Sequence, residues 1–286
     1  MHDKTIIRPM QLADLEFAAA CTHAEGWASE DHTALLGFFL ADPLGCLLAE
    51  LHGHPVGICV ATFYGHSGFI GELIVLPQAR GQGIGAALLN RAVELLQQRG
   101  ARTVYLDGVL GAVELYERNG FRKLTRSWRF SGRLADRTHP QVVLPMQAHH
   151  LSQVFAFDQA AFGANRSFFL GRRWSLFPEL GRVLIQDNQV QGYLLGRCGP
   201  GWLVVGPWVV NPAVAGPHCL LESLALDAGY DILKLGILDT HQSACTRVET
   251  LGLTPRPDSP WRMALGPDDF LGISPFCYAI GSPAKG

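Results

Sequence analysis

Short apolar blocks of period two or less, separated by glycine, proline and asparagine, alternate along the chain with stretches whose apolar residues recur every three or four positions. The clearest helical stretch places Ile84, Leu88, Ala92, Leu95 and Leu96 on one face and Asn90, Arg91, Glu94, Gln97 and Gln98 on the other. Gly100 is placed to stop it. Just before it, Gly71 to Leu76 is an apolar, partly β-branched block ended by Pro77, which cannot supply a ladder hydrogen bond in a central strand. Helices are predicted over 11–21 and 31–40, a hairpin over 47–51 and 56–63, and further strands over 69–76, 103–107 and 121–130. A short helix is predicted over 112–119. The alternation of strands and helices predicts an α/β fold built on mixed twisted sheets.

Between the strand and the long helix lie Arg80, Gly81, Gln82, Gly83, Ile84, Gly85 and Ala86. Glycines let backbone N–H groups approach an anion, and the helix's first turn adds unpaired donors and a positive dipole end. Arg80 adds a forked cation, so a pyrophosphate-bearing ligand is expected. No Lys followed by Ser or Thr follows the glycines, which excludes a nucleotide-hydrolase P-loop. A dinucleotide reading survives longer: Gly81, Gly83 and Ala86 fit the loose fingerprint, and Asp107 stands about 20 residues on. Against it, Pro77 to Arg80 separate the loop from its strand, and earlier strands precede it.

Arg80, Gly83 and Gly85 after a Leu73–Pro77 strand resemble the acetyl-CoA loop of the GCN5-related N-acetyltransferases (GNAT). Downstream, Ala112, Leu115, Tyr116, Glu117, Gly120 and Phe121 resemble that family's second motif, with Val109 where the family usually has Asn. The first domain is expected to span 1–135.

The second half reads as a worn copy. Asp107, Ala112, Glu117 and Gly120 recur 132 positions later as Asp239, Ala244, Glu249 and Gly252, and Gly57 and Pro77 recur 135 later as Gly192 and Pro212. The copied loop, Ala213 to His218, has no arginine and carries Pro217, and Val248 replaces Tyr116. Residues 136–286 are therefore expected to form a degenerate GNAT-like domain that binds no acetyl-CoA and contributes to the acceptor pocket. The whole resembles a two-domain subgroup of the family, through Glu25–Trp27, Phe162–Arg166 and Gly206–Trp208.

The resemblance implies acetyl transfer from acetyl-CoA to a primary amine of a small molecule or peptide, with roles for particular residues. The amide of Ile74 or Val75, where the sheet of this fold splays, would donate to the thioester carbonyl. Tyr116 stands at the family's proton-donor position, and a phenol of pKa about 10 can protonate a thiolate of about 8.5. Glu72 is the candidate general base and Asp107 its rival. Trp27, Asp31 and Trp208, with His32 and Trp174, are candidates to line the acceptor pocket. No cysteine lies in the motif segments, so direct attack in a ternary complex is expected. An acyl-CoA-binding sensor without turnover is the alternative, and a dehydrogenase the third reading.

Composition narrows this little further. The 286 residues suit two domains, and 48% apolar content is enough for two cores. A net charge of −2 argues against nucleic-acid or membrane-surface partners. The seven cysteines form no CxxC pair, and no metal site is expected. With no secretory leader or spanning segment visible, a cytoplasmic location is expected.

Overall fold

The computed structural model describes residues 5–27, 30–134, 143–199, 201–229, 232–267 and 271–286. The chain divides into two compact units: Met1–Lys123 with Met263–Asp269 and Lys285, and Leu124–Arg262 with Phe270–Ala284 and Gly286. A boundary at residue 135 falls outside the described residues. The first unit's continuous stretch ends at Lys123, within the strand after Gly120, and the described residues 263–267 also belong to it.

In the first unit, β1 (Ile6–Pro9), β2 (Cys46–Leu51), β3 (His54–Tyr64), β4 (Ser67–Val75) and β5 (Thr103–Gly108) lie side by side in chain order. The pairs are antiparallel up to β4, and β4 and β5 are parallel. The crossover between the parallel pair is α3 (Ile84–Gln98), whose buried Ile84, Leu88, Leu89, Ala92 and Leu96 pack on the sheet. Its end is a Schellman motif: Gly100, at φ 101°, donates to Gln97 and Ala101 donates to Leu96. Helices α1 (Leu15–Ala24) and α2 (His32–Ala41) precede the sheet strands β2 to β5, and α4 (Val113–Arg118) follows β5. The first of these starts later than the sequence pattern indicates, because Leu12–Asp14 form a separate 3-10 turn.

In the second unit the sheet order is β6 (Arg122–Gly132), β11 (Ile232–Leu238), β10 (Trp202–Val210), β9 (Gln189–Gly199), β8 (Arg182–Gln186) and β7 (Val143–Pro145). Its helices are α5 (Leu151–Phe162), α6 (Ser167–Leu176), α7 (Cys219–Ala228) and α8 (Gln242–Thr250). Two short strands, β12 (Leu253–Pro255) and β14 (Cys277–Ala279), pair with β6 and β10, and β13 is Trp261–Leu265. The repeat is visible in the bounds: β9, β10 and α6 begin and end 135 residues after β3, β4 and α2.

Candidate active site

The parallel pairing of β4 with β5 runs from Ser67–Thr103 to Ile70–Leu106 and stops. Beyond it the strands part, leaving Glu72 to Val75 on one side of a gap and Asp107 and Gly108 on the other. The cause is on β4. Ile58 pairs with Ile74 but Val60 pairs with Gly71, so Glu72 and Leu73 together face Cys59 in a β-bulge. Glu72 takes the left-handed backbone conformation, φ 50°, rare for a non-glycine residue and characteristic of functional sites.

Ladder parity decides which amide faces the gap. Leu76 donates its N–H to Val56 at 2.8 Å, so Ile74, two residues back and paired with Ile58, also points its N–H toward β3. Val75 points the other way, into the opening, and its carbonyl on that side accepts from Arg80 Nε at 2.8 Å. The sequence left Ile74 and Val75 equivalent; the ladder commits Ile74 to its neighbour and assigns the open donor to Val75.

The glycine loop follows the same strand end after the 3-10 turn Pro77–Ala79. Gly81 (φ 76°) and Gly83 (φ 80°) are left-handed, and a Cβ on either would meet no protein atom within 4 Å, so the space before the loop is open. Gly83 caps α3, and the first intrahelical bond shown is Ala87 N–H to Gly83, 3.0 Å, leaving the N–H groups of Ile84, Gly85 and Ala86 without i−4 partners. Gln82 is exposed at the tip. These features fit a pyrophosphate, and the gap beside Val75 fits an extended acyl-bearing arm.

Glu72 is 4% exposed and its Oε2 has no hydrogen-bond partner. Burial, and then the charge of Glu30, push its carboxyl well above the usual range, while Lys285 pulls in the opposite direction. Neither Glu30 nor Lys285 stands in a motif, and sequence reading missed both. Tyr116 is buried on α4, edge-on to Phe121 with ring centres 6.1 Å apart and its ring close against Gly108. Burial is the main cause that raises its hydroxyl above the usual phenol value, with Cys59 adding to it, so the proton stays on. Cys59, fully buried opposite the bulge, is pushed up in the same way, which keeps it a thiol and a poor nucleophile. Asp107 is half-buried on β5 one residue past the last β4 pair.

The acceptor-pocket candidates separate. Trp27 is half-buried in the turn after α1, its N–H donating to Thr22 at 2.9 Å. Asp31 is the N-cap of α2, its carboxylate accepting from Ala34 N–H at 2.9 Å. His32, next to it, is exposed. Trp174 packs against the second unit's core. Trp208 is wholly buried in that unit, its ring tilted against Tyr278 with centres 5.0 Å apart, and so cannot line an open pocket.

The second unit repeats the splay and then fills it. Its β10–β11 pairing stops at Val205–Leu235, and its ladder with β9 shifts between Val205 and Trp208, matching the bulge of β4. There β14 pairs with β10 through Trp208–Ala279 and Val209–Cys277, and Ile280 N–H donates to Gly236 at 2.9 Å. The gap that stands open beside Val75 is closed here by the chain itself.

Among the described residues, no group of three or more His, Cys, Asp or Glu could hold a metal, and no helix is long and apolar enough to cross a membrane. The Acetyltransferase (GNAT) family matches residues 11–121, and a second acetyltransferase (GNAT) domain family matches 154–272. An uncharacterised N-acetyltransferase of Methanocaldococcus jannaschii is 37% identical over 99 residues, covering 30% of this chain and 44% of that protein. A thialysine N-epsilon-acetyltransferase of Sus scrofa is 32% identical over 108 residues, covering 30% of this chain and 64% of that protein. The chain thus spans under two thirds of the length of these curated relatives. Among solved structures, a putative acetyltransferase from Pyrococcus horikoshii aligns over 99% of this chain and 96% of its own with a TM-score of 0.81 at 24% identity. A tandem GNAT protein from the clavulanic acid biosynthesis pathway aligns over 93% and 100% with a TM-score of 0.62 at 14% identity. At these identities the structures establish the shared fold. With GNAT matches to both halves and a tandem fold throughout, the chain belongs to the acetyltransferase (GNAT) family as a two-domain member.

Proposed function

We propose that the first unit transfers an acetyl group from acetyl-CoA to a primary amine of a small molecule or peptide by direct attack in a ternary complex, and that the second unit binds no acetyl-CoA. The observation that carries this is the end of β4: an open edge at Val75 leads, through the 3-10 turn Pro77–Ala79, into the glycine turn and the bare first turn of α3.

The loop N–H groups and Arg80 hold the pyrophosphate of acetyl-CoA, which supplies the activated thioester. Val75 N–H donates to the thioester oxygen, a contact of a kind worth about 3 kcal/mol as charge develops there. Glu72 takes the proton of the incoming amine, and its raised proton affinity suits it to do so. Tyr116 keeps its own proton and gives it to the departing sulfur. Asp107 stands across the gap, where it attracts a cationic acceptor; its half-buried position makes it the weaker base candidate. Trp27, half-buried in the turn after α1, is the first unit's aromatic candidate to line the acceptor site.

Calorimetric titration of acetyl-CoA into the protein and into Gly83→Asp, followed by an amine screen for CoA release, tests the reading. One equivalent bound by the wild type and none by the variant supports it. Two equivalents would overturn the assignment of the second unit, and binding without release to any amine would favour the sensor.

A further inference from the structure

Gly108 ends β5 without the backbone that most often calls for a glycine: it does not take the left-handed conformation that Gly120 adopts at φ 84°. What it supplies is room. A Cβ at this position would stand 2.9 and 3.0 Å from Cδ2 and Cε2 of the Tyr116 ring and 3.1 Å from Met263 Sδ, closer than side chains pack. Tyr116 is 6% exposed and edge-on to Phe121, so a ring displaced from Gly108 is pushed into other packed atoms. The worn repeat shows the same dependence. At the offset of 132 residues the copy keeps Gly252 for Gly120, also left-handed at φ 98°, but has Thr240 for Gly108 and Val248 for Tyr116. The glycine that the backbone needs survives in the copy. The glycine that the ring needs is gone where the ring is gone.

We propose that Gly108 is a positioning residue for the proton donor: the side chain it lacks is the slot that the Tyr116 ring fills, and the depth of that slot sets where the hydroxyl meets the departing sulfur. This rests on Tyr116 being the donor. As the carbon–sulfur bond breaks, the hydroxyl proton passes to the sulfur, and the tyrosinate left behind regains a proton from water. Such a transfer needs its two heavy atoms within about 2.6–3.2 Å of each other, and a misplacement of about 1 Å can cost about 10²-fold in rate. A Cβ on Gly108 must move the ring by about half an ångström to reach ordinary carbon contact. The atoms it meets all belong to side chains, so the protein can fold around it by moving them. The ring is what gives way.

The test is a double-mutant cycle on the single-turnover rate of CoA release, with wild type, Gly108→Ala, Tyr116→Phe and the pair. Gly111→Ala is the control, because a Cβ on Gly111 meets nothing within 4 Å. Gly108→Ala should lower the rate about 10-fold or more and leave the acetyl-CoA Kd unchanged, and Gly111→Ala should change neither. In the Tyr116→Phe background Gly108→Ala should cost less than about 2-fold, since the proton it misplaces is already gone. A glycine needed for packing alone would slow both backgrounds equally. That result, or a full rate in Gly108→Ala, overturns the inference and leaves Tyr116 as the donor, whereas a full rate in Tyr116→Phe removes the donor and the inference with it. Urea denaturation shows whether each variant folds. If Gly108→Ala does not, Phe121→Leu, which takes away the ring's edge-on neighbour, replaces it in the same cycle, and equal slowing of both backgrounds is again the overturning result. If wild type releases no CoA with any amine, a crystal structure of Gly108→Ala decides: a displaced Tyr116 ring keeps the slot, and an unmoved ring removes it.

Discussion

Arg80 joins the mouth of the site to the turn after α1: its Nε donates to the Val75 carbonyl at 2.8 Å while its guanidinium pairs with Glu25 at 2.5 Å. The cation proposed to meet the pyrophosphate is therefore tethered at the strand end whose amide meets the thioester. It is also half-neutralised by an acid.

Glu25→Gln should tighten acetyl-CoA binding. Arg80 is 53% exposed, so the pair is worth only about 0.5–1 kcal/mol, and freeing the cation predicts a gain of about 2–5-fold in Kd. Arg80→Met should weaken binding by about 10-fold or more, the usual cost of a charge-assisted contact. Calorimetry at two salt concentrations measures both, and the difference between the variants should shrink at high salt. An Arg80→Met Kd equal to wild type would remove the arginine from the cradle.

Tyr116→Phe should lower kcat and leave the acetyl-CoA Kd unchanged. The hydroxyl contributes proton donation, an effect of about 10²–10⁴ when chemistry limits turnover. The ring, packed against Gly108 and Phe121, keeps its place in the variant. Single-turnover rates of CoA release are the measurement, since slow product release would hide the loss. A full rate in Tyr116→Phe with chemistry limiting would leave the tyrosine as packing alone.

Much of this was legible in the chain. The long helix over 84–98 follows from its apolar face and the Gly100 stop, and the glycine loop from composition at a strand end. The 135-residue offset read from Gly57 and Pro77 is the one that β9 and β10 obey. What the chain hides is non-local. Gly71 interrupts the apolar block just before Glu72, as a lone strand glycine at a bulge does, but the bulge itself exists because β3 is one residue short opposite it. The charges of Glu30 and Lys285 act on Glu72 from 42 and 213 positions away in the numbering, without any spacing to connect them. Trp208 looked like a pocket aromatic because tryptophan serves both roles, and only packing shows it in the core. Residues 277–279 form a strand too short to show alternation, so the closed gap of the second unit could not be foreseen.

That closed gap makes its own prediction. A Cβ on Gly206 would clash with the Ile280 carbonyl, so Gly206→Ala should push the segment after β14 off the sheet. The expected cost is about 1–3 kcal/mol in the unfolding of the second unit, as for overpacking elsewhere. Acetyl-CoA binding should stay at one equivalent with an unchanged Kd. Urea denaturation and calorimetry report the two quantities separately. A second equivalent appearing in Gly206→Ala would mean that the self-inserted strand alone keeps the second unit from binding.

Glu72→Gln should be less active and, above acidic pH, more stable. Activity falls by about 10²–10⁴ if the carboxylate is the base. The stability effect follows from its raised proton affinity, caused first by burial and then by Glu30. Between the ordinary glutamate pKa of about 4.3 and the higher folded value, the native protein holds a proton that the unfolded chain has lost. Native protein then binds more protons than unfolded, so stability falls as pH rises through this window. Below about 4.3 both states are protonated and the penalty vanishes. Glutamine carries no such penalty at any pH. The stability difference between Glu72→Gln and wild type should therefore widen from pH 5 to pH 8, measured by urea denaturation at each pH. Parallel curves would mean that Glu72 is ionised at no cost in the folded protein, and its assignment as a base tuned by burial would fall with them.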